Sequence, residues 1–146
     1  MIYLRRGMVI QAGDLSVKCL YPEKGNAGEE KNESSVVLRL EYQKFSALLT
    51  GDLEGRGEET VMKTGGDSVT LLKVAHHGSS NSSGEEFLRT FRPGISVISC
   101  GRGNTYGHPH AEVLERLAGS MILRTDQDGA VTVSTDGENY FVEKFE

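Results

Sequence analysis

Four histidines and one aspartate carry the chemistry that this sequence can do. His76 and His77 stand together in "HHGSSNSS", His108 and His110 stand in "YGHPH", and Asp52 closes the apolar run "FSALLTGD". Neutral imidazoles and a carboxylate suit zinc or manganese, and a carboxylate can bridge two such ions. An ion held this way lowers the pKa of bound water toward neutrality and polarises a phosphoryl or acyl oxygen, the basis of metal-assisted hydrolysis. The spacing does not dictate ligation as a CxxC pair or an HExxH helix would, and each residue has an ordinary role open to it. "TGD" before a helix makes Asp52 an N-cap candidate. Adjacent histidines on a continuing strand point to opposite faces, so only one of His76 and His77 is expected as a ligand, with His76, nearer the strand end, slightly preferred. Ser82 and Ser83 each precede a glutamate by three residues, Glu85 and Glu86, and read as a capping box. That leaves Ser79 and Ser80 for ligand contact. Asn104 and Tyr106 either orient the "GHPH" loop or touch substrate, and Asp126 and Asp128 fit a turn before Gly129.

The elements that must position these residues follow from periodicity. "MIYLRRG", "MVIQAGD" and "LSVKCLYP" read as short half-buried strands, and "EKGNAGEEKNES" as a mobile loop. "SSVVLRLEY" and "KFSALLTGD" form an antiparallel hairpin about Gln43 and Lys44. "LEGRGEETVMKTGG" reads as a short helix closed by Gly65 or Gly66. "SVTLLKVA" is a buried strand leading into His76, in which Lys73 lies opposite the buried face or at an edge. A helix through "EEFLRTF" stops at Pro93, "GISVISCG" is another buried strand, and "HAEVLERLAG" is a helix with Pro109 in its first turn. "MILRT", "AVTVST" and "NYFVEKF", separated by "DQDG" and "DG", read as a three-stranded meander. The fold class is α/β with a mixed sheet in one domain spanning residues 1–146. Asp52 and both histidine motifs fall where a strand has just ended, the place where open α/β sheets bind ligands.

Composition narrows the function. With 37% hydrophobic residues in 146, one ordinary core can form, and a net charge of −5 excludes a broad phosphate-neutralising surface. Contact with nucleic acid must then be local and metal-assisted. The longest apolar runs fall far short of the roughly 20 residues that cross a bilayer, so the chain reads as soluble, and the N-terminus lacks the marks of a signal peptide. Cys19 and Cys100, far apart and without a CxxC partner, fit neither a zinc knuckle nor a disulfide scaffold.

"LLTGDLE", "LLKVAHHGSSNSS", "RPGISVISCGRGNTYGHPHAEVLERL" and "RTDQDGAVTVSTDG" resemble, in that order, the C-terminal part of the metallo-β-lactamase-like domain of the ComEC/Rec2 competence family, the DNA-internalisation channel of transformable bacteria. The likeness runs from about residue 15 to about residue 140. It implies an αββα sandwich with a metal-dependent hydrolase site on one edge, joined in the parent to a membrane channel domain and lying outside the cytoplasm. DNA is the implied partner, one strand of it being degraded or otherwise processed during uptake. By motif, Asp52 matches the bridging aspartate, His76 and His77 the late histidine ligand, and His108 and His110 the mouth of the site. Catalysis is thereby expected of Asp52, His76, His77 and His108, and substrate contact of Ser79, Ser80, Asn104, Tyr106 and His110.

The sequence departs from that pattern in lacking the early HxHxDH motif that supplies most ligands of the first metal. The chain thus reads as a C-terminal fragment, inactive and mostly metal-free alone, with zinc or manganese bound in the parent domain. Its unmatched sheet face is expected to be apolar and exposed, a surface for a homodimer. Two other readings stand beside this one: a metallo-hydrolase of another ester, and a non-catalytic DNA-binding or scaffold module.

Overall fold

In the computed structural model, which describes residues 4–23 and 35–145, seven strands form one sheet in chain order. They are β1 (Val9–Ala12), β2 (Leu15–Tyr21), β3 (Val37–Tyr42), β4 (Phe45–Leu49), β5 (Leu71–Lys73), β6 (Ile95–Ile98) and β7 (Met121–Arg124). β1 to β4 are antiparallel, and β4 to β7 are parallel. The switch follows from the connections. A tight turn with Gln43 at φ 53° joins β3 to β4, whereas each parallel step needs a crossover, supplied by α1 (Arg56–Thr64), α2 (Glu85–Phe91) and α3 (Ala111–Arg116). Crossovers of one hand that advance across a sheet in one direction all land on the same face. Val61 of α1, Phe87 and Phe91 of α2 and Val113 of α3 accordingly pack with Val37, Leu48, Leu72 and Ile98 in one buried cluster. The architecture is the mixed α/β sheet expected from the sequence.

The "EKGNAGEEKNES" loop lies, apart from Glu23, outside the described residues, as do Met1 to Tyr3 of the first expected strand. Leu4 to Gly7 form no strand. They turn instead, with the Arg6 and Gly7 amides donating to the Pro22 and Cys19 carbonyls. The expected meander divides. β7 joins the large sheet parallel to β6, "TDQD" is a helical turn, α4 (Thr125–Asp128), and β8 (Ala130–Thr135) pairs only with β9 (Tyr140–Phe145). Asp128 holds this junction, accepting from the Arg124 amide at 2.8 Å and from Lys144 at 2.8 Å.

The second sheet face, expected to be apolar and exposed, is covered at its centre and open at its edges. Ala47, Leu71 and Ile95, directly cross-strand from one another, are buried there together with Leu123. The hairpin β8–β9 is moored nearby through the Lys44 amide on the Gly137 carbonyl, Lys44 on Glu138, and Phe45 against Tyr140. Apolar exposure on this face remains at its two edge strands, at Ile10 of β1 and Met121 of β7, and appears elsewhere at Val9 and at Phe141 and Phe145 of the hairpin. Among the described residues no helix is long and apolar enough to cross a membrane.

A buried guanidinium ties the sheet to the end of α1. Arg39 of β3 donates to the Gly65 carbonyl at 2.8 Å, to the Asp67 carbonyl at 3.0 Å and to Glu41 at 3.0 Å. Charge-assisted bonds of this kind contribute more than neutral ones, and losing them strands the carbonyls. Arg39→Met should lower the unfolding free energy by roughly 2–3 kcal/mol, read in urea as an earlier midpoint at unchanged slope.

Candidate active site

The parallel strands deliver their C-terminal ends side by side, and the candidate residues lie just beyond them. Asp52 follows β4, His76 and His77 follow β5, and Ser99 and Cys100 follow β6. The strand before the histidines ends at Lys73, and Ala75–Gly78 is a turn of 3₁₀ helix in which His76 (φ 44°, ψ 46°) and His77 (φ 56°, ψ 17°) are both left-handed. That turn removes the premise that the two rings point to opposite faces. Their centroids lie 6.2 Å apart, and His108 lies 5.7 Å from His76 and 6.4 Å from His77, so three rings gather at one place. His110 joins through an edge contact with His108 at 5.0 Å.

Hydrogen bonds fix the tautomers of the rings. His77 Nδ1 is 2.6 Å from the Ser99 carbonyl, which can only accept, so the neutral ring carries its proton on Nδ1 and offers a lone pair at Nε2. His76 Nδ1 is 2.6 Å from the Glu54 carboxylate, which leaves its Nε2 free in the same sense. His110 has the reverse tautomer: its Nδ1 accepts from the Ser80 amide at 2.9 Å, and the proton resides on Nε2. The His108 pKa is lowered, first by desolvation and then by the three neighbouring imidazoles, with Glu54 opposing.

Asp52 does not cap α1. The N-cap is Gly55, and the Asp52 carboxylate, about half exposed, lies 3.8 Å from His77 Nε2. That gap is too long for a hydrogen bond. It fits two ligands of one ion, which at about 2.1 Å each stand no more than about 4.2 Å apart. The donor chemistry therefore suits a divalent cation, with carboxylate oxygen and imidazole Nε2 atoms whose opposite nitrogens are anchored. Among the described residues no three His, Cys, Asp or Glu side chains group closely enough to complete a metal centre.

The loop after the histidines is held by its backbone. The Glu58 carboxylate of α1 accepts from the Ser83 and Gly84 amides, while the Arg116 guanidinium of α3 donates to the carbonyls of Ser80, Ser82 and Ser83 at 3.0 to 3.2 Å. Burial raises the Glu58 pKa, opposed by those two amides and by the Arg116 charge. The capping box is absent: Gly84 is the N-cap of α2, and the buried Ser83 hydroxyl has no partner among the described residues. Ser79, expected to face a ligand, is buried, and its Oγ accepts from the Asn81 amide at 3.4 Å. Ser80 is half-buried with its amide on His110. Asn104 closes its own loop, donating to the Gly101 and His108 carbonyls and accepting from the His108 amide at 3.0 Å. Tyr106 is 76% exposed, so its ring is open to solvent. The "GHPH" loop docks on the histidine turn through the His110 amide and the Gly78 carbonyl at 3.0 Å, and Pro109 precedes α3, whose N-cap is His110.

Glu54, Glu58, Arg116 and Lys73 carry weight that the sequence did not announce. A glutamate in a turn or an arginine on a helix is unremarkable until the fold is known. Lys73 is on the interior strand β5, on the face opposite the helix-covered one as alternation predicted, and donates to its neighbour's carbonyl, Val74, at 3.0 Å. Desolvation lowers its pKa, and the Asp52 charge pulls it partly back.

Comparison with known proteins decides the family. The chain is 44% identical over 131 residues to ComE operon protein 3 of Bacillus subtilis, 38% over 117 residues to Recombination protein 2 of Haemophilus influenzae, and 40% over 106 residues to Competence protein ComA of Neisseria gonorrhoeae. These alignments cover 88%, 79% and 70% of the chain. The chain belongs to the ComEC family. It spans only 17%, 14% and 15% of the length of those relatives. No family model matches the chain. Within the ComEC family segment, Asp52 and both histidine motifs meet at one sheet edge.

Two substitutions test this geometry. A Cβ at Gly78 would lie 2.6 Å from the Pro109 Cβ, and the residue has φ +84°, so Gly78→Ala should push the "GHPH" loop off the histidine turn and cost roughly 2–4 kcal/mol in chemical denaturation. The Lys73 pKa is lower in the folded state than its ordinary 10.5. Below the folded value the lysine is charged in both states and its desolvation opposes folding, and that cost fades as pH rises toward 10.5. Lys73→Met should therefore raise Tm by a few degrees at pH 7, with the gain shrinking in melts at alkaline pH.

Proposed function

We propose that this ComEC family segment forms one wall of a metal-dependent phosphodiesterase site that processes DNA during uptake. On this reading the segment is part of a metallo-β-lactamase-like domain outside the cytoplasm, next to a membrane channel. The observation that carries the proposal is the contact of His77 Nδ1 with the Ser99 carbonyl, which directs the ring's Nε2 toward Asp52, 3.8 Å away, beyond the strand ends. Anchoring one ring nitrogen so that the other faces a carboxylate is an arrangement that suits a ligating or basic histidine.

Asp52 and His77, the pair set 3.8 Å apart, would hold a divalent ion, zinc or manganese, together with ligands beyond this segment, with His76 standing beside them. When bound, that ion supplies an activated water and neutralises phosphate charge. The residues of the chain do the remainder. Glu54 and the Ser99 carbonyl hold Nδ1 of His76 and His77 and so fix the direction of each Nε2. His110 presents an Nε2 proton able to meet a phosphate oxygen, and the His108 ring packs beside both. The Lys73 ammonium supplies positive charge near Asp52 in a chain whose net charge is otherwise negative. A local cationic feature of this kind is what phosphate binding by an acidic protein needs.

Cleavage of labelled DNA, with manganese or zinc added, should be compared between the longer ComEC family protein carrying this segment and its Asp52→Asn and His77→Gln variants. Each variant is expected to lose about 10²- to 10⁴-fold in rate, the range for removing a positioned base or ligand. Unchanged cleavage in both variants would sink the assignment. Absence of cleavage by the parent protein under every metal condition would favour a non-catalytic DNA-binding module.

A further inference from the structure

The loop before His108 displays an aromatic ring that no packing requirement explains. Tyr106 is 76% exposed, yet its ring is not adrift: it lies 5.8 Å from His108 at an interplanar angle of 23°. His108 in turn lies 6.4 Å from His77 at 20°. Tyr106, His108 and His77 are thus three nearly parallel rings in sequence, running from an exposed tip to the nitrogen that faces Asp52. The backbone under the tip is fixed. Asn104 donates to the carbonyls on both sides of the loop, at 2.9 Å to Gly101 and 2.6 Å to His108, and accepts from the His108 amide. Arg102 donates to the Asp126 carbonyl at 3.2 Å, and the His110 amide fastens the far end to Gly78.

A large aromatic ring left in water on a hydrogen-bonded loop forgoes burial that other packing could have given it. Such a ring is suited to a flat partner, because offset stacking on an aromatic face is attractive and demands a fixed plane. From this geometry we infer that Tyr106 is a stacking platform for an unpaired nucleobase of single-stranded DNA. The base it receives belongs to a nucleotide next to the phosphodiester held at Asp52 and His77. This inference rests on the DNA reading above and sharpens it. In a duplex both faces of a base are occupied by its neighbours, and a base reaches an outside ring only after it is unstacked. A lone ring beside the site therefore selects strands whose bases are already free, and it does so without reading sequence, since every base has a π-face.

The test uses the longer ComEC family protein carrying this segment, with manganese added. Its affinity for a fluorescein-labelled ten-nucleotide oligo(dT) is compared, by anisotropy, with its affinity for an abasic oligomer of the same length and phosphate count. The parent chain should prefer oligo(dT) by roughly 5- to 150-fold, the worth of one stacked base. Tyr106→Ala should bind the two oligomers alike, and Tyr106→Phe, which keeps the face and loses the hydroxyl, should retain the preference. Circular dichroism confirms that the variants fold. Equal binding of both oligomers by the parent chain, or a preference surviving in Tyr106→Ala, overturns the platform and leaves the DNA reading standing. Binding of neither oligomer overturns both.

Discussion

Two consecutive histidines in the left-handed region set the terms for everything around them. A residue with a Cβ pays about 1–2 kcal/mol to adopt that conformation, and His76 and His77 do so in succession, with Gly78 following at φ 84°. Strain of this kind persists only where the surroundings over-determine it. Here the His76 amide is held by the Gly51 carbonyl at the end of β4, Gly78 is held against Pro109 and the His110 amide, and the serine loop is gripped from two helices. The return on that strain is convergence: a strand continued through these positions would separate the two rings, whereas the turn gathers them with His108 in front of Asp52.

The sheet makes the convergence possible at low cost. Three parallel strands end level with one another, so residues more than forty positions apart in sequence, Asp52 and Ser99, come to flank the same turn. The carbonyl of Ser99 then selects the His77 tautomer, and the carboxylate of Glu54 serves His76. Orientation of the rings is thus assigned to groups outside the obvious motif. This division explains why the electrostatics of the site are legible from partners and not from the histidines themselves.

Much of the fold could be read from the chain, and the failures have a common cause. The β3–β4 hairpin, the buried strands β5 and β6, and helices α2 and α3 announced themselves through periodicity and turn residues, all local signals. β7 was misread because "DQDG" between two apolar runs looks the same whether it closes a hairpin or a helical turn, and only long-range pairing with β6 decides. Ser82 and Ser83 offered a local capping box, and the distant Glu58 took its place. The convergence of Asp52 with both histidine motifs was foreseeable from strand ends. The alternation argument for His76 and His77 failed because the strand stops at Lys73, two residues before the apolar run ends at Ala75. Glu54, Glu58 and Arg116 had no sequence signal at all, since their roles exist only once α1, α3 and the serine loop meet.

The grip of Glu58 and Arg116 on the serine loop has a bearing on how such a site can change over generations. Both side chains hold amides and carbonyls, groups that nearly every amino acid possesses, and neither recognises a serine hydroxyl. The path of the loop is consequently set in large part from two positions elsewhere in the chain, and within the loop by the buried Ser82 hydroxyl, which donates to the Ala75 and Ser79 carbonyls. Exposed positions such as Asn81 can then drift freely, trying new contacts for whatever lies against the loop, while the path of the main chain and the aim of the histidines stay as they are.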